Sequence, residues 1–267
     1  MTPSLFHLGM LLLGGAVGLI SAALGLGGGV LMVPAFLEFV PGMDAHTAKG
    51  TSLFIIVFVA LANVWRLNRG VARIEWGLAA VMACGSIAGS WLGVWITSLM
   101  HGRAVLWCFI AMMVVGSART LLLEPKPVSE EEVRRRNLLA MLIGLMTGTV
   151  AGATGIGGGA VLVPLALMAG VIANERVVAL SNTVMVATCL AGTVAHFSVT
   201  KTADLPWTYG QVNMALAPLV FLGAQVGAPF GKRLNEKLTL PRRKVIMAVL
   251  LLAIAARLAY RALTGGG

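Results

Sequence analysis

Two glycine clusters interrupt apolar segments of this chain at matching places, and they restrict its fold more than any other feature. Residues 18–34 laid over residues 148–164 match Gly18, Ala23, Gly25, Gly27, Gly28, Gly29, Val33 and Pro34 with Gly148, Ala153, Gly155, Gly157, Gly158, Gly159, Val163 and Pro164, eight identities in 17 positions at an offset of 130. Further on, Ala48, Thr51 and Ser52 fall over Ala179, Asn182 and Thr183, and Gly89 and Gly93 fall over Gly223 and Gly227. An offset that drifts by only a few residues is what loop insertions leave in a duplicated chain. The two units are residues 1–123 and 138–267, joined by a charged linker over 124–137.

The solvent of these units is lipid. Of the 267 residues, 58% are hydrophobic and 11% charged, against about 25% charged in soluble domains. The runs Ala104 to Leu123 and Val245 to Leu263 approach the ~20 residues that a helix needs to cross a bilayer. Ser21-Ala22-Ala23 resembles a signal-peptide cleavage site, but no basic residue precedes Lys49 and the segment recurs in the second unit, so it is assigned to the fold. Cys84, Cys108 and Cys189 stand singly inside apolar runs and read as small packing residues.

Full-length helices are expected over residues 5–24, 47–66, 75–98, 104–123, 138–156, 177–198, 210–231 and 245–263. Shorter apolar pieces at 29–40 and 159–172 follow directly on the glycine clusters. A dozen helical residues span about half of the hydrocarbon core, so these are half-helices. The expected fold is therefore an all-α integral membrane protein of two repeats, each with about four transmembrane helices and a glycine-broken, re-entrant half-helix.

The net charge of +10 is carried by residues between apolar runs, which reports topology rather than nucleic-acid binding. Eight simple spans would divide the 20 basic residues 11 to 9 between the faces. If each glycine break turns the chain back toward its starting side, the two repeats are inverted and 15 of the 20 share one face. The positive-inside rule favours that second arrangement, with the basic face cytoplasmic and both termini outside. Trp65, Trp76 and Trp207 near span ends suit interfacial anchoring.

Backbone freed by a glycine break inside lipid survives only against protein or a water-filled cavity. Gly27, Gly28 and Gly29, with Gly157, Gly158 and Gly159, allow close approach of a ligand, and each following half-helix offers free N–H groups and its positive dipole end. Each helix end contributes on the order of 0.3–2 kcal/mol to holding an anion. Thr51 and Ser52, with Asn182 and Thr183, lie early in the next helices; they are expected either to complete an anion's hydrogen bonds or to bond their own helix backbone. Glu38, Lys49 and His196 are ionisable residues in apolar surroundings and are candidates for coupling or ion entry, with interfacial placement as the alternative. Gly85, Gly89, Gly93, Gly223 and Gly227 read instead as helix-packing residues.

The Gly-x-Gly-Gly-Gly-x-x-x-Val-Pro pattern at Gly25 to Pro34 and Gly155 to Pro164 resembles the TauE/SafE family of membrane transporters. The likeness covers nearly the whole chain, including Thr51-Ser52 and the basic loop after the second helix. It implies a sulfite or organosulfonate cargo, although Asn182-Thr183 departs from the Thr-Ser pair usual in the family.

A secondary transporter working by alternating access in the cell inner membrane is thus the leading expectation, with an anion channel or membrane scaffold as the alternative. Its partners would be a small anionic substrate, the lipid bilayer and a coupling ion (H+ or Na+); a homodimer would be ordinary, and no nucleic acid, cofactor or metal is expected. An enzyme is disfavoured: Gly155-x-Gly157-x-x-Ala160 follows a membrane helix rather than the strand that a dinucleotide fingerprint requires.

Overall fold

The structure, a computed structural model, describes residues 3–24, 28–68, 74–122, 137–173 and 176–264. The described residues form ten α-helices and one short β-hairpin. The first repeat contributes α1 (Pro3–Leu24), α2 (Gly29–Phe39), α3 (Ala45–Asn68), α4 (Trp76–Ser98) and α5 (Gly102–Leu122). The second contributes α6 (Asn137–Thr154), α7 (Gly159–Met168), α8 (Val177–Phe197), the strands β1 (Thr208–Tyr209) and β2 (Val212–Asn213), α9 (Leu216–Lys237) and α10 (Leu240–Leu263). Six of these helices are long and apolar enough to cross a membrane, and α5 and α9 have comparable lengths of 21 and 22 residues. The half-helices α2 and α7 have 11 and 10 residues. Gly27 and nearly all of the 124–137 linker lie outside the described residues.

Residue pairs across the helix interfaces fix the helix directions. Gly50 lies against His196, Leu53 against Gly192, and Asn63 bonds Asn182, so α3 and α8 run antiparallel. Thr51 meets Asn213, Phe58 meets Phe221 and Arg66 meets Gln225, so α9 runs parallel to α3. Gly14 and Gly18 of α1 rest on Val220 and Ala224, which makes α1 parallel to α9. Gly144, Gly148 and Gly152 of α6 rest on Met82, Ser86 and Ser90, which makes α6 parallel to α4. Helix α4 opposes α3, because Thr97 near its end meets Lys49 near the start of α3. The matched pairs α1 and α6, α3 and α8, and α4 and α9 therefore point in opposite directions, and the repeats are inverted. Eight simple spans would have left α3 and α8 parallel.

Both half-helices return toward the side from which their repeat began. Glu38 and Leu37 at the end of α2 contact Arg257 and Arg261 near the end of α10, at the end of the molecule where α3 starts. We call this the hairpin end, since β1 and β2 lie there.

The two tightest seams exchange helices between repeats: α1 packs on α9, and α4 on α6. Glycine lines both partners in each seam; a Cβ at Gly89 would fall 2.8 Å from Thr149 N, and one at Gly223 2.8 Å from Gly15 N. Lipid gives helices little hydrophobic reason to associate, and close backbone approach supplies dispersion contact instead. The expectation of helix-packing glycines at 85, 89, 93, 223 and 227 is met.

One expected helix is corrected. Residues 210–231 do not form a single span, because residues 208–213 fold as the antiparallel hairpin and α9 starts at Leu216 and runs to Lys237. Gly210 takes φ +54°, and Asn213 Oδ1 accepts from the Leu216 N–H at 3.3 Å, capping α9 there. Helix α10 likewise starts five residues before the expected 245, with a proline in its first turn.

Candidate functional site

The two glycine breaks meet. A Cβ on Gly29, the first residue of α2, would lie 2.7 Å from the Ile156 Cα, so the head of one half-helix rests on the broken backbone of the other repeat. Ser52 on α3 donates to the Gly155 carbonyl at 2.9 Å, tying the second break to the first repeat.

The breaks differ in backbone. Gly155, Gly157 and Gly158 take φ of +75°, +86° and +85°, a region that L side chains rarely enter. Gly28 has an ordinary helical φ of −60°. Around the second break, Ile56 and Cys189 wall Gly157, and Thr147 and Ala151 wall Gly158. Gly159 is half-buried beside Ser181 and Met185, and Ala160 is exposed. The Gly158 carbonyl accepts from the N–H groups of Val161 and Leu162, whereas those of Gly159 and Ala160 find no acceptor among the described residues. An α-helix leaves its first N–H groups without internal partners, and here two of them remain at the edge of the break. Thr147 packs its Cγ2 methyl at Gly158, and its Oγ1 is buried without a hydrogen-bond partner among the described residues.

The paired polar residues are largely engaged by the fold. Thr51 Oγ1 accepts the Asn213 N–H at 2.9 Å, and Thr183 donates to the Ala179 carbonyl four residues back. Asn182 Oδ1 accepts from Asn63 Nδ2 at 3.1 Å, forming a half-buried amide pair between α3 and α8 toward the end opposite the hairpin. Asn63, Ser181 and Thr147 were missed by the sequence reasoning. Asn63 was legible as the single amide in the apolar run of α3, while Ser181 and Thr147 resemble any membrane-helix hydroxyl.

The three ionisable candidates separate. Glu38 pairs with Arg257 on the exposed side of α2, where it fastens the half-helix to α10. Lys49 and His196 are fully buried, each at 0% exposure. Lys49 Nζ donates to Thr97 Oγ1 at 2.8 Å, and His196 Nδ1 lies 2.8 Å from Gln211 Oε1 of the hairpin. His46, one helical turn before Lys49, is 7% exposed and joins them. Gly155 lies against the Lys49 backbone, which puts this basic cluster directly on the hairpin side of the second break.

The hairpin closes that side. Gln211 N–H donates to the His196 carbonyl at 3.0 Å, and Thr47 and Thr202 hydroxyls meet at 3.3 Å. An open surface recess of 480 Å³ lies on the hairpin itself, lined by Lys201, Asp204, Trp207 and Tyr209 among others. Lys201 binds Asp204 at 2.9 Å and holds its carboxyl below the usual range, so this recess is charge-closed and distinct from the breaks. Of the cysteines, Cys189 is buried at the break, Cys108 half-buried and Cys84 exposed; no group of three or more potential metal-binding side chains occurs among the described residues.

Comparison with known proteins gives the geometry a family. Residues 10–258 match the family described as "Sulfite exporter TauE/SafE". The chain is 22% identical to the probable membrane transporter protein YunE of Bacillus subtilis over 94% of this chain and 96% of the relative. It is 23% identical to a probable membrane transporter protein of Methanocaldococcus jannaschii over 91% of each. A probable membrane transporter protein of Xylella fastidiosa is 31% identical over 58% of this chain and 60% of its own length. No solved structure matches. A family match over nearly the full length, on a chain of inverted repeats with paired glycine-broken helices, makes this protein a member of the TauE/SafE family of membrane transporters.

Proposed function

We propose that the protein is a secondary transporter that moves a small sulfur-containing anion, sulfite or an organosulfonate such as sulfoacetate, across the cytoplasmic membrane by alternating access. The observation that carries this reading is the meeting of the two breaks. Inverted repeats placing discontinuous helices together near mid-membrane are a recurrent arrangement in secondary transporters. The unengaged N–H groups of Gly159 and Ala160 suit an oxyanion, and the Ser181 hydroxyl stands beside Gly159. The family description supports sulfur as the central atom.

The asymmetry of the two ends supports alternating access. Hydrogen bonds from α3 and α8 to the hairpin shut one end, while the Asn63–Asn182 pair at the other is half-exposed. The inverted topology assigns 15 of the 20 basic residues, by sequence position, to the side opposite the hairpin, so that side is cytoplasmic and the site opens inward. Cargo release to the outside then requires the hairpin contacts to part. An ion gradient (H+ or Na+) or the anion's own gradient supplies the driving force.

Flux in proteoliposomes tests this. Saturable uptake of labelled sulfite or sulfoacetate, accelerated by the same anion trapped inside, is expected. Conductive flux without counterflow makes it a channel, and absence of sulfur-anion flux overturns the cargo.

A further inference from the structure

We infer that Lys49, His46 and His196 form a second anion site on the hairpin side of the glycine breaks, taking a small anion such as chloride or an inorganic oxyanion. The site does not depend on the cargo; only its placement on the outer half of the transport path rests on the transporter reading.

Three basic side chains, all more than nine-tenths buried, converge here from α3 and α8. The Lys49 ammonium has three donors, and among the described residues only Thr97 accepts one. Thr97 gives its own proton to the Gly93 and Val94 carbonyls, so it supplies no charge. The carboxylate nearest in sequence, Asp44, accepts the Thr47 N–H at 2.9 Å as the cap of α3 and forms no ion pair with Lys49.

The rings repeat the pattern. His196 Nδ1 is engaged by Gln211, while its Nε2 and His46 Nδ1 are buried without a well-formed hydrogen bond among the described residues, although the backbone of Gly152 and Met100 lies near the two rings. Buried polar atoms are ordinarily satisfied, and two poorly satisfied ring nitrogens beside an ammonium with no ion-pair partner among the described residues leave a place for an anionic one. An anion serves all three groups, accepting from Lys49 and from whichever ring nitrogens carry protons.

The fold does not require the lysine. In the repeat alignment Lys49 falls over Leu180, fully buried at the matched place in α8, so the same architecture is built there with a hydrocarbon. A buried cation kept in one repeat only is a functional addition to the scaffold.

The test is the melting temperature of the purified full-length protein in sodium gluconate, then with gluconate exchanged at constant ionic strength for chloride, nitrate or sulfite. A small anion is expected to raise it in the wild type. In Lys49→Met the rise is expected to vanish and the gluconate baseline to increase, since the uncompensated charge has gone. Where Lys49→Met does not fold, Thr97→Val releases the ammonium from its anchor and is expected to shift the half-maximal anion concentration at least threefold. A wild type indifferent to anions, an undiminished rise in Lys49→Met, or an unmoved midpoint in Thr97→Val overturns the site. A Lys49-dependent rise in a protein that carries no sulfur anion in liposomes overturns the cargo assignment and leaves this site standing.

Discussion

Gly28 and Gly158 occupy matching places in the repeat, yet the same substitution has different consequences at the two. A methyl group on Gly158 meets Thr147 Cγ2 at 2.7 Å on a backbone at φ +85°, whereas on Gly28 it meets only the mobile end of Met32. Left-handed backbone at a non-glycine residue costs about 1–3 kcal/mol. Gly158→Ala is therefore expected to lower the melting temperature in detergent clearly and to abolish uptake, while Gly28→Ala stays near wild type in stability. Gly170→Ala separates backbone strain from the break, because Gly170 has φ +62° with open space around it; it is expected to lose about 1–2 kcal/mol and keep its transport. Ser52→Ala removes the bond to the Gly155 carbonyl and is expected to cost about 1 kcal/mol, read as a lowered melting temperature with impaired uptake. The sequence announced both clusters through their repetition. It did not reveal that, of the described glycines in the two clusters, only Gly155, Gly157 and Gly158 take left-handed backbone, nor that Thr51 and Ser52 spend their hydrogen-bonding capacity on the fold, since partners more than a hundred residues away leave no local pattern; the bond of Thr183 to its own helix was one of the two expected outcomes.

At the scale of elements, the glycine seams make a sharp contrast available. Gly89 of α4 lies against α6 backbone, whereas Gly77 near the start of the same helix has nothing within 4 Å. Gly89→Leu is expected to prevent recovery of a monodisperse folded protein by size-exclusion chromatography. Gly77→Ala is expected to be tolerated and to stabilise by up to about 1 kcal/mol through helix propensity. Most helices were legible because hydropathy and glycine punctuation are both local signals. The hairpin was not: Val212 and Leu216 continue an apolar drift into α9, and the capping of α9 by Asn213 and its tie to Thr51 are settled by tertiary contact. The inversion of the repeats was legible only through the distribution of charge, which is a property of the membrane environment rather than of helix packing.

For the whole molecule, the closed hairpin end and the half-exposed opposite end predict which surfaces a reagent reaches. In a cysteine-free background, Pro206→Cys is expected to react with an impermeant maleimide on intact cells, and Lys237→Cys only after permeabilisation; the reverse result would invert the assigned orientation. Pairing Thr47→Cys with Thr202→Cys, whose hydroxyls now meet at 3.3 Å, is expected to lock the hairpin and stop counterflow until a reductant is added. The exchanged seams, α1 on α9 and α4 on α6, also bear on how such a chain is made. Helix α1 emerges from the ribosome long before α9, its main neighbour, so it must wait in the bilayer or beside an insertion factor with its glycine face uncovered. Two separately expressed fragments, cut within the connecting segment, are accordingly expected to be degraded alone and rescued when produced together.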